Sequence, residues 1–141
     1  MTTLHEAARM ALTSAALRGV EVRLLVPKQS DSRLVSAAAR SYFDELQAVG
    51  IRVFEYPRML HTKALLVDDE VSVLGSSNFD NRSFRLNFEL CVLFEDAGVA
   101  RSLETILQQD FARASAVPVP RVLGLPSRLA EAVARLLSPL L

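Results

Sequence analysis

The chain has 141 residues, half of them apolar and 23% charged, the balance of one soluble globular domain with room for a sizeable core. Lys plus Arg and Asp plus Glu both total 16, so the net charge is zero; non-specific binding of a long nucleic acid calls for a basic excess that this chain lacks, although a local basic pocket is compatible with it. A single cysteine, Cys91, excludes an internal disulfide and any multi-cysteine metal site.

Cys91 lies in the apolar run Phe88–Phe94 and reads as a core thiol. The first ten residues show no basic region followed by an apolar core, so no signal peptide is expected. No run of roughly 18 apolar residues occurs, so no transmembrane span is expected, while peripheral membrane contact stays open.

In chain order, Leu4 to Arg18 reads as a helix, with small apolar residues recurring at three and four and Gly19 as its stop. Val20–Val26 alternates and ends at Pro27, a strand followed by the polar loop Lys28–Asp31. Asp31 or Ser32 can cap the next helix, Arg33–Val49, whose apolar stripe includes Leu34, Ala38, Tyr42 and Leu46. Ile51–Tyr56 is a short strand closed by Pro57. Helix, strand, helix, strand predicts a layered α/β domain.

Leu60–Val67 and Val71–Leu74, split by Asp68-Asp69-Glu70, read as a β-hairpin. Asn78–Leu86 is polar and irregular. Asn87–Glu95 reads as a strand with Glu89, Cys91 and Leu93 on one face; an acid in such a strand is costly to bury unless it is paired. Gly98–Arg113 is a third helix. Residues 1–116 form the expected domain. Residues 117–141 form an extended Pro-containing linker and the amphipathic helix Leu129–Leu137, which can dock on the domain, on a partner domain or on a membrane surface.

The chemistry concentrates between His61 and Asn78. A His and a Lys two apart on an extended segment point to the same side, so His61 and Lys63 share one small volume. Asn78 arrives on the loop after the hairpin and can add an amide donor. Imidazole, ammonium and amide are the groups needed to hold a phosphate and attack its phosphorus.

Written out, the spacing is His61-x-Lys63-x4-Asp68-x6-Gly75-Ser76-x-Asn78. It resembles the HKD motif of the phospholipase D superfamily. The stretches AALRGVEVRLLVP, RSYFDELQAVGIRVFEY, LHTKALLVDDEVSVLGSSNFDNRSFRLNFEL and RLLSPLL resemble the second half of the bacterial cardiolipin synthase branch, as do Asp80-x-Arg82-Ser83 and Leu86-Asn87-Phe88-Glu89 in particular.

The resemblance implies a phospholipase D-like α/β/α sandwich around a mixed sheet, here with a single HKD motif. It implies that His61 is the nucleophile that takes a phosphatidyl group as phosphohistidine, or its partner acid/base. Lys63 and Asn78 would hold phosphate oxygens, and Ser76 would position that loop or a phosphate oxygen. Glu89 would accept a hydrogen bond from the far nitrogen of His61, a role that also has a physical motive, since a carboxylate fixes the tautomer and supports the imidazolium that forms. Asp68 belongs to the motif, but its place in the hairpin suggests a turn or an ion pair. Arg82 and Arg85 could contact a lipid phosphate or lie solvated on the surface.

No metal or other cofactor is implied. The implied substrate is phosphatidylglycerol at a membrane surface, on the cytoplasmic face of the bacterial inner membrane, with no nucleic acid partner. Family members pair two HKD motifs and this chain has one, His5 being followed by Glu6-Ala7 rather than x-Lys. The missing motif would come from an N-terminal half or from a second copy of the chain. Three readings follow: half of a phosphatidyltransferase, an inactive half-domain serving association or lipid binding, and a single-motif phosphodiesterase or nuclease acting as a homodimer.

Overall fold

A computed structural model describes residues 6–29, 32–76 and 88–137. Two short sheets are flanked by helices. Helix α1 (Glu6–Leu17) leads into β1 (Arg23–Pro27), then α2 (Arg33–Arg40), α3 (Phe43–Ala48) and β2 (Arg52–Tyr56). The hairpin β3 (Ala64–Val67) and β4 (Val71–Gly75) follows, then β5 (Cys91–Glu95), α4 (Ala97–Arg113), β6 (Ser115–Ala116) and α5 (Leu125–Leu137).

The first sheet has the order β1-β2-β6, with β1 and β2 parallel and β6 antiparallel to β2. The second is the antiparallel meander β3-β4-β5. The layered α/β reading therefore stands, with the sheet in two pieces rather than one. Successive residues of a strand point to opposite faces, and β2 uses both. Val53 joins Val26, Phe43, Leu46 and Ile51 in the main core on the α3 side, while Phe54 meets Phe111 of α4 edge-on at 5.0 Å on the other.

Several boundaries differ from the sequence expectation, each for a local reason. The helix expected over Arg33–Val49 breaks at Ser41 and Tyr42. The Ser41 hydroxyl donates to Ala38 O at 2.7 Å and Tyr42 N bonds Ala39 O at 3.3 Å, tightening the turn away from α-helical pairing. Ser32 caps α2 through Val35 N, and Gly50 ends α3 at φ 92°, a conformation glycine adopts without steric cost. Asp96 caps α4 by accepting from Gly98 N and Val99 N, and those two bonds hold its carboxyl below the usual range.

The two-residue β6 was not foreseen. It is too short to show a pattern and is fixed by its ladder with β2, continued by Val117 N bonding Val53 O at 2.9 Å. Cys91 is exposed rather than a core thiol, because β5 is the outer strand of its meander and is largely uncovered.

Helix α5 begins at Leu125 and packs on α2. Arg121, just before it, is 7% exposed and grips both Asp44 (2.7 and 2.9 Å) and Glu131 (3.1 and 3.0 Å). Arg135 reaches Glu45 at 2.8 Å and lies over the Tyr42 ring, which Arg9 also approaches. Among the described residues, no helix is long and apolar enough to cross a membrane.

Candidate active site

His61 and Lys63 lie just ahead of β3, on backbone that belongs to neither sheet. Lys63 O accepts from Gly75 N at 3.2 Å, which ties this segment to the end of β4. The side chains meet: Lys63 Nζ is 2.8 Å from His61 Nε2 and donates also to His61 O at 3.0 Å. An ammonium has donors and no acceptor, so Nε2 acts as the acceptor and the imidazole proton sits on Nδ1. The pair thus sets an ammonium against one ring nitrogen of an imidazole that is open to solvent.

Gly75 shows why the motif needs glycine. A Cβ there would lie 2.8 Å from Cys91 Cα and 2.6 Å from its Sγ, and closer still to Leu90 O. Strand β5 therefore passes directly over this backbone. The next residue uses that approach: Ser76 N donates to Leu90 O at 2.9 Å, and Ser76 Oγ accepts from Leu90 N at 3.1 Å while donating to Glu89 Oε2 at 2.6 Å. Ser76 thereby fastens the segment carrying Glu89 to the end of the motif hairpin. Sequence reasoning gave Ser76 a positioning role without naming Glu89 as its partner; an acid thirteen residues away leaves no periodic signal.

Asp68 stands in the turn of the β3–β4 hairpin at φ 45°, a conformation Asp tolerates better than most residues. With β3 between them, it is roughly 16 Å along the chain from Lys63 at about 3.3 Å per residue. Asn78, Arg82 and Arg85 lie outside the described residues. Among the described residues, no three His, Cys, Asp or Glu side chains gather as a metal site.

A cavity of about 670 Å³ opens beside the motif, with His61, Thr62 and Lys63 in its wall. It runs between β1 and β3 under Leu12, Phe43 and Leu46 on one side and Leu107 and Phe111 on the other.

A family model described as "Cardiolipin synthase, PLD-like domain" matches residues 1–111. The chain belongs to the cardiolipin synthase family of phospholipase D-like domains. It is 45% identical over 139 residues to cardiolipin synthase A of Pseudomonas putida and 48% identical over 139 residues to that of Pseudomonas fluorescens. Each match takes in 96% of this chain and 29% of the relative, so the chain spans under a third of the length of these relatives.

In fold it is similar to the phospholipase D family member Nuc from Salmonella typhimurium, with TM-score 0.71 and 23% identity over 82% of this chain and 76% of that one. NucT from Helicobacter pylori gives TM-score 0.61 at 16% identity, over 80% and 76% of the two chains.

Proposed function

We propose that this phospholipase D-like domain contributes one histidine of a phosphatidyltransferase that makes cardiolipin and glycerol from two phosphatidylglycerol molecules. The observation that carries the reading is the Lys63 ammonium at 2.8 Å from His61 Nε2. An incoming phosphodiester draws Lys63 onto its oxygens and frees Nε2, which then faces the phosphorus. Phosphoryl transfer asks chiefly for such positioning and charge stabilisation.

In the first step a histidine nitrogen bonds to phosphorus and the bond to the leaving glycerol oxygen breaks, that oxygen taking a proton from the partner acid. In the second, the acid's conjugate base removes the proton from the hydroxyl of another phosphatidylglycerol. That oxygen bonds to phosphorus and the P–N bond breaks, regenerating the imidazole. His61 serves as the nucleophile or as the acid/base, the other role falling to a histidine outside this chain. Water in place of the alcohol gives hydrolysis.

Glu89 accepts from His61 Nδ1–H in the working site and Ser76 holds its carboxylate in place. Asn78 adds a donor to the phosphate, with Arg82 and Arg85 toward the lipid headgroup. Asp68 shapes the hairpin turn. The second histidine comes from an N-terminal half or a second copy. Large apolar side chains at Phe88, Leu90, Val92 and Leu93, all exposed, support a protein partner over this flank. The working location is the cytoplasmic face of the bacterial inner membrane, with contact at the lipid surface.

The test is phosphatidylglycerol turnover, run with the solution mass, for the chain alone and for the chain with the unmatched part of Pseudomonas putida cardiolipin synthase A. Cardiolipin formation by a dimer or by the reconstituted pair is expected. Phosphatidylglycerol left untouched both by the well-folded chain alone and by the well-folded reconstituted pair would overturn the reading. An inactive monomer alongside an active pair assigns the second histidine to the other half.

A further inference from the structure

The cavity beside the motif has an unusual wall. Every residue from Val20 to Pro27 and every residue from Leu60 to Leu66 lines it. A cavity over a sheet's face is lined by alternate residues; unbroken runs mean that it looks onto the edges of two strands. Both β1 and β3 are outer strands of their sheets.

The hydrogen bonds show which backbone groups face inward. Val22 O accepts from Arg52 N and Lys28 N donates to Tyr56 O, so even-numbered residues of β1 turn toward β2, while Arg23 and Leu25 turn their N–H and C=O outward. On β3, Gly75 N donates to Lys63 O and Leu65 opposes Val73. Lys63, Leu65 and Val67 therefore face β4, and Ala64 and Leu66 face away. Two ladders of donors and acceptors thus border one cleft.

We propose that this cleft is a strand-acceptor site, which takes one short strand from polypeptide outside these 141 residues and pairs it with β1 and β3 together. The observed β1 has five residues and β3 four, so a strand of about five residues, roughly 17 Å, matches both edges. The volume of about 670 Å³ is that of a site for a compact ligand, within the usual range of about 300–1,000 Å³. Helices cover the cleft on both sides, which asks for a strand apolar on both faces.

A lipid acyl chain fits less well. It leaves the two backbone ladders unpaired, and the wall also carries Glu21, Arg23, Asp69, Glu104 and Asp110, groups a hydrocarbon cannot satisfy. The relatives provide a source for a strand, since the match takes in 29% of their length.

The inserted strand has a consequence for the motif. Continuing the alternation, Thr62 turns its backbone to the same edge as Ala64 and Leu66, so pairing there extends β3 back through Lys63 to His61. The separate sheets become one, and the catalytic segment becomes part of it.

The experiment uses overlapping twelve-residue synthetic peptides covering the part of Pseudomonas putida cardiolipin synthase A that this chain does not match. Binding is followed by fluorescence anisotropy and by amide hydrogen exchange, neither of which depends on turnover. Peptides sharing one apolar run are expected to bind saturably and to slow exchange at Leu25, Ala64 and Leu66 at least tenfold. The same peptide N-methylated at alternate backbone nitrogens is expected to bind at least tenfold more weakly.

Protection on one edge only, equal binding of the N-methylated peptide, or no binding peptide overturns the proposal. So does protection of these amides by protein concentration alone, which assigns the cleft to a second copy, or by phosphatidylglycerol vesicles alone, which assigns it to lipid. Failure of turnover with peptide protection intact counts against the enzymatic reading and leaves the strand site standing.

Discussion

Lys63 Nζ sits 2.8 Å from His61 Nε2, so the ammonium and the imidazole of the motif are direct neighbours. The proposed function gives Lys63 two successive tasks: holding the imidazole at rest and neutralising phosphate oxygens in the transition state. Lys63→Met is expected to lower phosphatidylglycerol turnover by about 10²–10³-fold with an unchanged circular dichroism spectrum, the size of losing one positioned electrostatic group. Lys63→Arg is expected to recover only part of this, because a planar fork does not reproduce a compact ammonium.

Ser76 and Glu89 form a second linked pair at 2.6 Å. Ser76→Ala is expected to cost about 1 kcal/mol in urea unfolding and to lower turnover through looser placement of Glu89. Glu89→Gln is expected to lower turnover less than His61→Ala does. If Glu89→Gln left the rate unchanged, the orienting role would be wrong.

The close passage of β5 over Gly75 makes a steric prediction. Gly75→Ala forces the strands apart and is expected to cost about 1–3 kcal/mol in chemical denaturation, the range for overpacking. Unchanged stability would mean that β5 does not lie where it is described.

The attachment of α5 gives a pH dependence. The Arg121 hydrogen bond holds the Asp44 carboxyl below the ordinary carboxylate value, and Asp44 and Glu131 raise the Arg121 guanidinium further. A depressed carboxylate contributes stability that is present above its unfolded value, about 4, and lost as pH falls through the lower folded value. The stability gap between the wild type and Arg121→Ala is therefore expected to be largest near neutral pH and to narrow in acid, measured by urea unfolding across pH. A gap independent of pH would remove the ion pair from the account.

The parts legible in the sequence were those written in local pattern. His61 and Lys63 were placed together by strand periodicity, the hairpin by its Asp68–Glu70 turn, and the cap of α2 by two candidates, Asp31 and Ser32, of which Ser32 is seen to cap it. What stayed hidden depended on neighbours distant in the chain. The break at Ser41 turns on one hydroxyl choosing Ala38 O, and Tyr42 is then held between Arg9 and Arg135. The two residues of β6 exist as a strand only because β2 accepts them. Cys91 looked buried because its run is apolar, yet burial is decided by what lies over β5, and β5 is an edge. For the site, the Ser76–Glu89 bond needed the fold, while its members were already candidates.

The central claim is that His61 reacts or exchanges the proton in phosphatidyl transfer. The most direct measurement is cardiolipin formation by His61→Ala in the same assembly that turns over as wild type, with circular dichroism and melting temperature recorded alongside. The expected result is loss of cardiolipin formation in a variant that folds and melts as the wild type does, since His61 is exposed and outside the core. Substantial cardiolipin formation by that folded variant would contradict the account.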